Sequence, residues 1–308
     1  MMDHTDRHCR YFLRLITRHT LLYTEMITAA AILNGNRDRL LAYSDSEHPL
    51  ALQLGGSDPA ALKQCAIIAE EFGYDEINFN VGCPSDKVQT GRFGACLMAE
   101  PQLVAECIAT MQQVTTIPVT VKTRLGIDNF DDLTAFINSV SIAGCRTFII
   151  HARKAWLKGL SPRENREVPP LDYSKVYQLK NDFPELEIII NGGFTRLEQI
   201  QEQYNYVDGV MIGRAAYHDP YLLADVDRKI FTDSNTIKTR HQILSEFMDY
   251  VSLQLDRGVA LNHMTRHILG LYQGQPGARA YRRQLGQHAC RSGAGIEVLK
   301  QAVNAMNG

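Results

Sequence analysis

One cysteine stands where its thiol could take part in chemistry. Cys83 belongs to the segment Asn80-Val81-Gly82-Cys83-Pro84, which ends the apolar run over residues 76–82. Pro84 fixes the direction of the chain directly after the thiol. A thiol held in this way could serve as a nucleophile or as a general acid. Cys96, in the segment FGACLM, is the competing cysteine.

Basic side chains end two other apolar runs. Lys122 terminates Val119-Thr120-Val121, and an ammonium group is costly to bury unless it is paired. His151 and Arg153 are two residues apart on a second run, so a strand would point both to the same face. An anionic ligand would satisfy these groups. We therefore expect an anion-binding surface at these strand ends.

Two glycine turns could bind a phosphate. One is Asn191-Gly192-Gly193 and the other is Gly213-Arg214. Glycine lets backbone N–H groups approach phosphate oxygens, a following helix contributes its dipole, and Arg214 offers a planar charged fork. The alternative is two ordinary turns between strands and helices. The sequence has no Cys-x-x-Cys pair, so no metal site is predicted.

The elements that must position these residues alternate along the chain. Seven β-rich runs, separated by helical segments, cover residues 21–28, 50–56, 76–82, 118–126, 147–153, 187–193 and 209–214. This alternation predicts βαβ units and a parallel sheet. An open doubly wound sheet would carry a Gly-rich fingerprint after its first strand, and none occurs. We therefore favour an α/β fold of the TIM (β/α)₈ barrel type, whose active site lies at the carboxyl ends of the strands.

A closed barrel needs an eighth strand, and the missing one is the first. It would precede the helix expected over residues 6–17, so we expect the true start to lie upstream. After Phe231 the strand-like runs stop. We predict a catalytic barrel over residues 1–231 and a small all-α domain over 232–308.

The charge is divided unevenly between these parts. Taken alone, the net charge of −2 argues against a nucleic-acid partner. Residues 257–295, however, hold six arginines and no Asp or Glu, a charge of +6 that leaves −8 for the remainder. The sequence lacks a signal peptide or an apolar run of membrane-spanning length, so we expect a cytoplasmic protein with reduced cysteines, no membrane partner and a monomeric state.

Several segments together resemble the flavin-dependent tRNA-dihydrouridine synthases. The similarity is closest to the A-type subfamily, which modifies positions 20 and 20a of the D-loop, and it covers nearly the whole chain. The segments that carry it are MMDHTDRHCRYFLRLI, LALQLGGSDPAAL, YDEINFNVGCPSDKVQTGRFGACLM, VTVKTRLGID, FIIHARKAWLKGLSPRENREVPPLDY, INGG, GVMIGR and HMTRHILGLYQGQPGARAYRRQL. The combination of NVGCPS with HARKAWLKGLSP is the specific part.

The resemblance implies an FMN-bearing TIM barrel followed by a helical tRNA-binding domain. FMN, reduced by NADPH, would pass hydride to C6 of a flipped-out uridine while Cys83 protonates C5. The resemblance places Asn80 beside the target uracil. The residues matching the family's FMN contacts are Gln53, Lys122, His151, Asn191, Gly192, Gly193, Gly213, Arg214, Met1 and Met2.

Basic residues in both predicted domains are expected to bind the tRNA backbone. These residues are Arg153, Lys154, Arg163, Arg166, Arg266, Arg279, Arg282 and Arg283. Two alternatives remain open. One is an FMN barrel oxidoreductase acting on a free pyrimidine, which would have no use for an acid-free arginine segment. The other is a tRNA-binding protein whose catalysis is impaired.

Overall fold

The seven predicted runs form one parallel sheet. The computed structural model describes residues 1–128 and 132–306, without the side chain of Lys87. Its strands are β1 (Leu22–Thr28), β2 (Leu50–Gly55), β3 (Glu76–Asn80), β4 (Val119–Arg124), β5 (Thr147–His151), β6 (Glu187–Asn191) and β7 (Gly209–Met211). All seven predictions of strands are confirmed.

Every strand pairs with its neighbours in the chain. The order in the sheet is β1 to β7, all parallel, as right-handed βαβ units require. In the part of the chain that the structure describes, β1 and β7 each pair with one strand only. This is the α/β architecture of a TIM-type barrel with seven of its eight strands, as the sequence predicts.

Helices separate the strands and continue after the last one. They are α1 (Arg7–Ile16), α2 (Ala29–Asn34), α3 (Arg37–Leu40), α4 (Pro59–Glu71), α5 (Asp86–Thr90), α6 (Pro101–Gln112), α7 (Leu133–Ile142), α8 (Tyr173–Asp182), α9 (Leu197–Gln203), α10 (Arg214–His218), α11 (Val226–Lys229), α12 (Arg240–Asp256), α13 (Leu261–Thr265), α14 (Ala278–His288) and α15 (Glu297–Asn304). Short 3₁₀ helices cover Asp45–Glu47, Gly94–Ala99, Glu164–Arg166 and Pro220–Asp225.

Local signals in the sequence explain where α4 begins and ends. The carboxylate of Asp58 accepts a hydrogen bond from the N–H of Ala60 at 2.9 Å, and Pro59 occupies the first turn, where it loses no hydrogen bond. After the helix, Gly73 adopts a left-handed φ of 85°. Asp58-Pro59 and Gly73 therefore mark the two ends of this helix in the sequence.

The chain divides into two compact units. The first contains residues 1–2, 21–43 and 48–212, including all seven strands. The second contains residues 3–20, 44–47 and 213–308. Packing thus groups α1 and residues 213–231 with the C-terminal helices, whereas the sequence analysis counted them with the barrel. The predicted boundary after residue 231 concerns which segments bind FMN and tRNA, and it stays a prediction.

Aromatic contacts hold α1 in the second unit. The rings of Tyr11 and Tyr250 stack with centroids 3.9 Å apart, and those of Phe12 and Phe247 meet edge to face at 5.3 Å. The ring Nδ1 of His8 lies 2.6 Å from the Tyr250 hydroxyl. A helix that the sequence places before the first strand is therefore packed against α12.

Asp6 links the start of α1 to the end of α13. Its carboxylate caps the helix by accepting from the N–H groups of His8 and Cys9, both at 3.0 Å. It also accepts from Arg266 at 2.5 Å and from the buried ring of His267 at 2.9 Å. Burial acts to raise the pKa of Asp6, but these hydrogen bonds and the attraction of His267 outweigh burial and hold the pKa well below 3.8.

Among the helices that the structure describes, none is both long and apolar enough to cross a membrane.

Two substitutions of Asp6 should separate the stability that comes from capping α1 from the stability that comes from its negative charge. Asp6→Ala removes both and is expected to lower the free energy of unfolding by roughly 2–4 kcal/mol. Asp6→Asn keeps an acceptor for the cap and should cost less. Because the pKa is lowered on folding, the contribution of the charge is complete above pH 3.8 and declines as the pH falls below it.

Urea denaturation of the three proteins between pH 3 and pH 7 measures this difference. The difference in the free energy of unfolding between wild type and Asp6→Asn should become smaller towards acid pH. Equal stability of these two proteins at pH 7 would show that the charge contributes nothing.

Candidate active site at the carboxyl ends of the strands

The backbone around Cys83 is held from both sides. The amide oxygen Oδ1 of Asn80, the last residue of β3, accepts from the N–H of Gly82 at 3.1 Å and from the N–H of Cys83 at 3.0 Å. The carbonyl of Cys83 accepts from the N–H of Ala95 at 2.9 Å. The half-buried thiol of Cys83 is therefore carried by a loop whose polar groups are satisfied.

Two glycines allow the chain to come this close to Cys83. A Cβ on Gly82 would lie 3.3 Å from the carbonyl oxygen of Lys122. Gly94 has a left-handed φ of 75°, and a Cβ there would lie 2.7 Å from the carbonyl oxygen of Cys83. Larger residues would push this loop away from β4.

Cys96 is held differently. Its Sγ donates to the carbonyl oxygen of Phe93 at 3.1 Å, inside its own 3₁₀ turn. Burial raises the pKa of the Cys96 thiol. This thiol is engaged locally, so the geometry favours Cys83 of the two cysteines.

Asn80 ends β3, and Gln53 and Lys122 lie two residues before the ends of the neighbouring strands β2 and β4. Asn80 is paired with Lys122 across β3 and β4, and the Nδ2 of Asn80 donates to the Oε1 of Gln53 at 2.9 Å. Parallel strands bring their carboxyl ends to one edge, so the predicted site residues on β2, β3 and β4 do meet.

Lys122 supplies a cation at this edge. Its Nζ donates to the Oδ1 of Asn191 on β6 across 3.5 Å, and the Nδ2 of Asn191 donates to the carbonyl of Met211 at 2.8 Å. Burial, together with the charge of Arg124, lowers the pKa of Lys122 to about 8. An anionic ligand here would be stabilised by this ammonium and would in turn favour its protonated form.

Arg124, at the end of β4, ties the Cys83 loop to the loop after β5. It is 4% exposed, and its Nε donates to the carbonyl of Gly82 at 2.8 Å. Its Nη1 donates to the carbonyls of Lys154 and Asn165 at 3.1 and 2.9 Å. Burial lowers its pKa to about 10. No role was predicted for Arg124 from the sequence.

The turn after β6 is shaped for close approach. Gly192 and Gly193 have positive φ values of 126° and 81°, and a Cβ on Gly192 would lie 3.0 Å from the ring of His151. The Tyr173 hydroxyl donates to the carbonyl of Gly192 at 2.6 Å. In the described chain no backbone carbonyl accepts from the N–H of Gly192 or Gly193. These N–H groups suit phosphate oxygens.

The remaining predicted FMN residues are described unit by unit. Met1 and Met2 belong to the first unit, and Met2 is 52% exposed. Gly213 is the N-cap of α10 and Arg214 is its first residue, both in the second unit. Their joint role with Gly192 and Gly193 stays a prediction.

The predicted tRNA-binding residues of the first unit lie in the loops after β5. Arg153 donates to the carbonyls of Glu167 and Pro169, and the Nζ of Lys154 lies 3.5 Å from the carbonyl of Asp128. Arg163 and Arg166 are exposed, with Arg163 at 4.0 Å from the carboxylate of Glu167.

In the second unit, three predicted residues share one helix. Arg279, Arg282 and Arg283 lie on α14 at positions i, i+3 and i+4, which places them on one face. Arg282 donates to Gln273 at 3.1 Å, and Arg279 and Arg283 are exposed. Arg266 instead forms the ion pair with Asp6, so part of its charge is used within the unit.

One cluster of potential metal ligands occurs in the second unit. Ligand atoms of His19, Asp227 and Asp233 lie within 4.8 Å of one another. The oxygens of Asp227 already accept from Thr17 and from the N–H of Arg18, and His19 bonds Asp233 at 2.9 Å. These bonds account for the cluster, and the absence of a metal stays a prediction.

Sequence reasoning missed the residues beneath the site. Glu76 and Asn78 precede Asn80 at every second position of β3, and Thr120 lies opposite Asn78 on β4. The signal was present in the segment EINFN, because polar residues alternate there in a strand expected to be continuously apolar.

Known proteins resemble this chain over nearly its full length. A sequence profile described as "Dihydrouridine synthase (Dus)" matches residues 1–307. A protein of Vibrio vulnificus named "tRNA-dihydrouridine(20/20a) synthase" is 61% identical over 307 residues, which are 98% of this chain and 94% of that protein. Proteins of the same name are 58% identical in Synechocystis, over 99% of this chain and 92% of that protein, and 59% identical in Escherichia coli K12, over 98% and 89%.

The lowered pKa of Lys122 can be measured directly. In the protein without ligands, the reaction of Lys122 with acetic anhydride should rise through about pH 8. Exposed Lys158 serves as the reference lysine, and peptide mass spectrometry resolves the two. A midpoint for Lys122 above pH 10 would show that its ammonium is not destabilised by burial.

Proposed function

The chain belongs to the dihydrouridine synthase family, and on this premise we propose that it reduces uridine to 5,6-dihydrouridine at positions 20 and 20a of tRNA. The match extends over nearly the full length of the chain and of the relatives. The enzyme is thus an oxidoreductase that acts on a carbon–carbon double bond. The choice of tRNA and of these positions follows the names of the relatives.

The observation that carries this proposal is the fixed loop of Cys83 beside polar strand ends. The N–H of Cys83 donates to the side chain of Asn80, and Asn80 contacts Gln53 and faces Lys122. A thiol acting as general acid must be protonated when it acts. In the described part of the first unit, no carboxylate or histidine forms a hydrogen bond with the Cys83 thiol. A thiol without a neighbouring base suits a general acid better than an activated nucleophile.

FMN is the cofactor that we propose. Its anionic groups fit the cation of Lys122 and the N–H groups of the Gly192-Gly193 turn, which bond no carbonyl of the described backbone. The residues proposed to hold it are Gln53, Lys122, His151, Asn191, Gly192, Gly193, Gly213, Arg214, Met1 and Met2. When bound and reduced, FMN supplies the hydride that C6 of the uracil ring receives.

The protein's own groups complete the reaction. Cys83 delivers a proton from Sγ to C5, and Asn80 and Arg124 hold the backbone that carries this sulfur. Asn80 also lies beside the proposed place of the uracil. The positive charge of Lys122 stabilises negative charge on a ligand at the strand ends. NADPH is proposed as the reductant because the resemblance implies it.

A uridine in folded tRNA has to leave its stack to reach a site at strand ends, so the proposal requires base flipping. Arg279, Arg282 and Arg283 on α14 form a cationic face suited to phosphates. Arg266, Arg153, Lys154, Arg163 and Arg166 are further proposed contacts. An oxidoreductase for a free pyrimidine would not need this face, and an impaired tRNA-binding protein would not need the ordered Cys83 loop.

Loss of the Cys83 thiol should abolish product and spare binding. Cys83→Ala is expected to reduce dihydrouridine formation at least 100-fold because protonation of C5 fails, while FMN and tRNA still bind. The measurement uses unmodified tRNA transcripts, NADPH and mapping of dihydrouridine at positions 20 and 20a. Cys96→Ala is the matched control and should retain activity.

If Cys83→Ala modifies tRNA at the wild-type rate, the assignment of Cys83 fails. If wild-type protein reduces free uridine and leaves tRNA unmodified, the free-pyrimidine alternative replaces the proposal. A purified protein without flavin absorbance that binds tRNA would favour the impaired binding protein.

Charge reversal on α14 should weaken tRNA binding. Arg279→Glu changes the charge by two units on the proposed phosphate-binding face and should lower affinity roughly tenfold at low salt. The slope of the logarithm of affinity against the logarithm of salt should fall by about one. Lys229→Glu makes the same charge change on α11, where Lys229 pairs with Asp225, and is the control.

Fluorescence anisotropy of labelled tRNA across a salt series gives both quantities, and NADPH oxidation without tRNA should be unchanged. Equal losses in the two variants would mean that net charge, and not the face of α14, determines affinity.

A further inference from the structure

A continuous series of side-chain hydrogen bonds runs through the interior of the strands beneath Cys83. From the top, Asn80 donates to Gln53 at 2.9 Å, and the Nε2 of Gln53 donates to the Oδ1 of Asn78 at 2.8 Å. The Nδ2 of Asn78 donates to the Oγ1 of Thr120 at 2.8 Å. Thr120 then donates to the Oε1 of Glu76 at 2.7 Å. We call these five residues the amide relay.

The relay occupies positions that are usually apolar. Glu76, Asn78 and Asn80 alternate along β3 and therefore share one face, with Gln53 and Thr120 paired to Asn78 from β2 and β4. Asn78 is 0% exposed, Thr120 1% and Glu76 9%. Branched apolar residues normally fill the interior of such a barrel. Burying polar groups there is tolerable only when each finds a partner.

All donors in the relay point in one direction, from the loop of Cys83 down to Glu76. The N–H groups of Gly82 and Cys83 can only donate, so they require an acceptor at the top. The Oε1 of Glu76 accepts at the bottom, also from the Tyr23 hydroxyl at 3.2 Å. An amide has nearly the same shape after its O and N exchange places, so only its partners select one orientation.

We propose that Glu76 is a positioning residue that, acting through Thr120, Asn78 and Gln53, keeps the Oδ1 of Asn80 turned towards the backbone N–H of Cys83. Glu76 lies at the amino end of β3, four residues from Asn80, or about 13 Å along an extended strand. It therefore reaches the loop of Cys83 only through the relay.

The state of the buried carboxyl supports this assignment. Burial raises the pKa of Glu76 to about 7, against the lowering effect of the hydrogen bonds from Thr120 and Tyr23. A carboxyl group is thus retained where an apolar residue would avoid the cost of burial. Both protonation states leave a carboxyl oxygen that accepts from Thr120.

The proposal rests on the proposed function in one respect, namely that Cys83 is the acid whose position matters. Two variants interrupt the relay at different points. Glu76→Leu removes the final acceptor, and Thr120→Val removes the hydroxyl link with little change of volume. Glu76→Gln keeps an acceptor oxygen and is the conservative variant. Thr147→Val is the matched control, since Thr147 forms a similar bond to Glu187 at 2.7 Å outside the relay.

Hydrogen exchange of the backbone amides of residues 81–83 is the first measurement, with amides of β6 as internal reference. Glu76→Leu and Thr120→Val should each raise exchange of Gly82 and Cys83 roughly 2- to 10-fold, the effect expected of one hydrogen bond. Glu76→Gln and Thr147→Val should exchange like wild type. Unchanged exchange in both interrupting variants would overturn the proposal, as would failure of Glu76→Gln to restore protection.

Kinetics provide the second measurement. The interrupting variants should lower kcat for tRNA while its KM stays within about twofold, because the tRNA-binding residues are untouched. In a double-mutant cycle, Glu76→Leu should add no further loss of kcat to Asn80→Ala. Multiplicative losses would mean that the two residues act independently, against the proposal. If wild-type protein forms no dihydrouridine, the proposed function fails, while the exchange experiment still decides the role of Glu76.

Discussion

The hydrogen bonds from the backbone of Gly82 and Cys83 to the side chain of Asn80 are the constraint on which the site depends. They convert the end of β3 into a fixed support for a loop that would otherwise be shaped by the chain alone. Arg124 and Ala95 bind the carbonyls of the same loop, so neither its donors nor its acceptors are free to turn. Positioning of this kind lowers a barrier by removing the search for the reactive geometry.

Two buried positive charges, those of Lys122 and Arg124, lie at the same strand ends. Lys122 and Arg124 are both desolvated, and both have lowered pKa values, so the site carries an unfavourable accumulation of positive charge without a ligand. Bound anionic groups relieve this cost, which couples occupancy of the site to its stability. The buried amides beneath the site are tolerated for a related reason, because each one forms a hydrogen bond with the next.

Much of this arrangement could be predicted from local patterns. The seven strands, α4 with its cap and stop, and the gathering of Gln53, Asn80, Lys122 and Asn191 all follow from apolar runs ending in polar residues. The role of Asp6 could not be read in this way, since its partners Arg266 and His267 lie some 260 positions later in the chain. The relay was missed because β3 was taken as a continuously apolar strand, and only the pairing of β2, β3 and β4 shows that its alternate polar side chains find partners on both neighbouring strands.

The packing of α1 has a consequence for biosynthesis. Residues that α1 and its cap contact, Tyr250, Arg266 and His267, lie some 240–260 positions later and are synthesised after it. At roughly 5–20 residues per second, the interval is about 13–52 s. During that time Tyr11 and Phe12 of α1 lack the rings of Tyr250 and Phe247 on α12, whereas the strands of the first unit can pair one after another. The second unit therefore closes only after α12 and α13 have been made, which makes its early and late segments interdependent during folding.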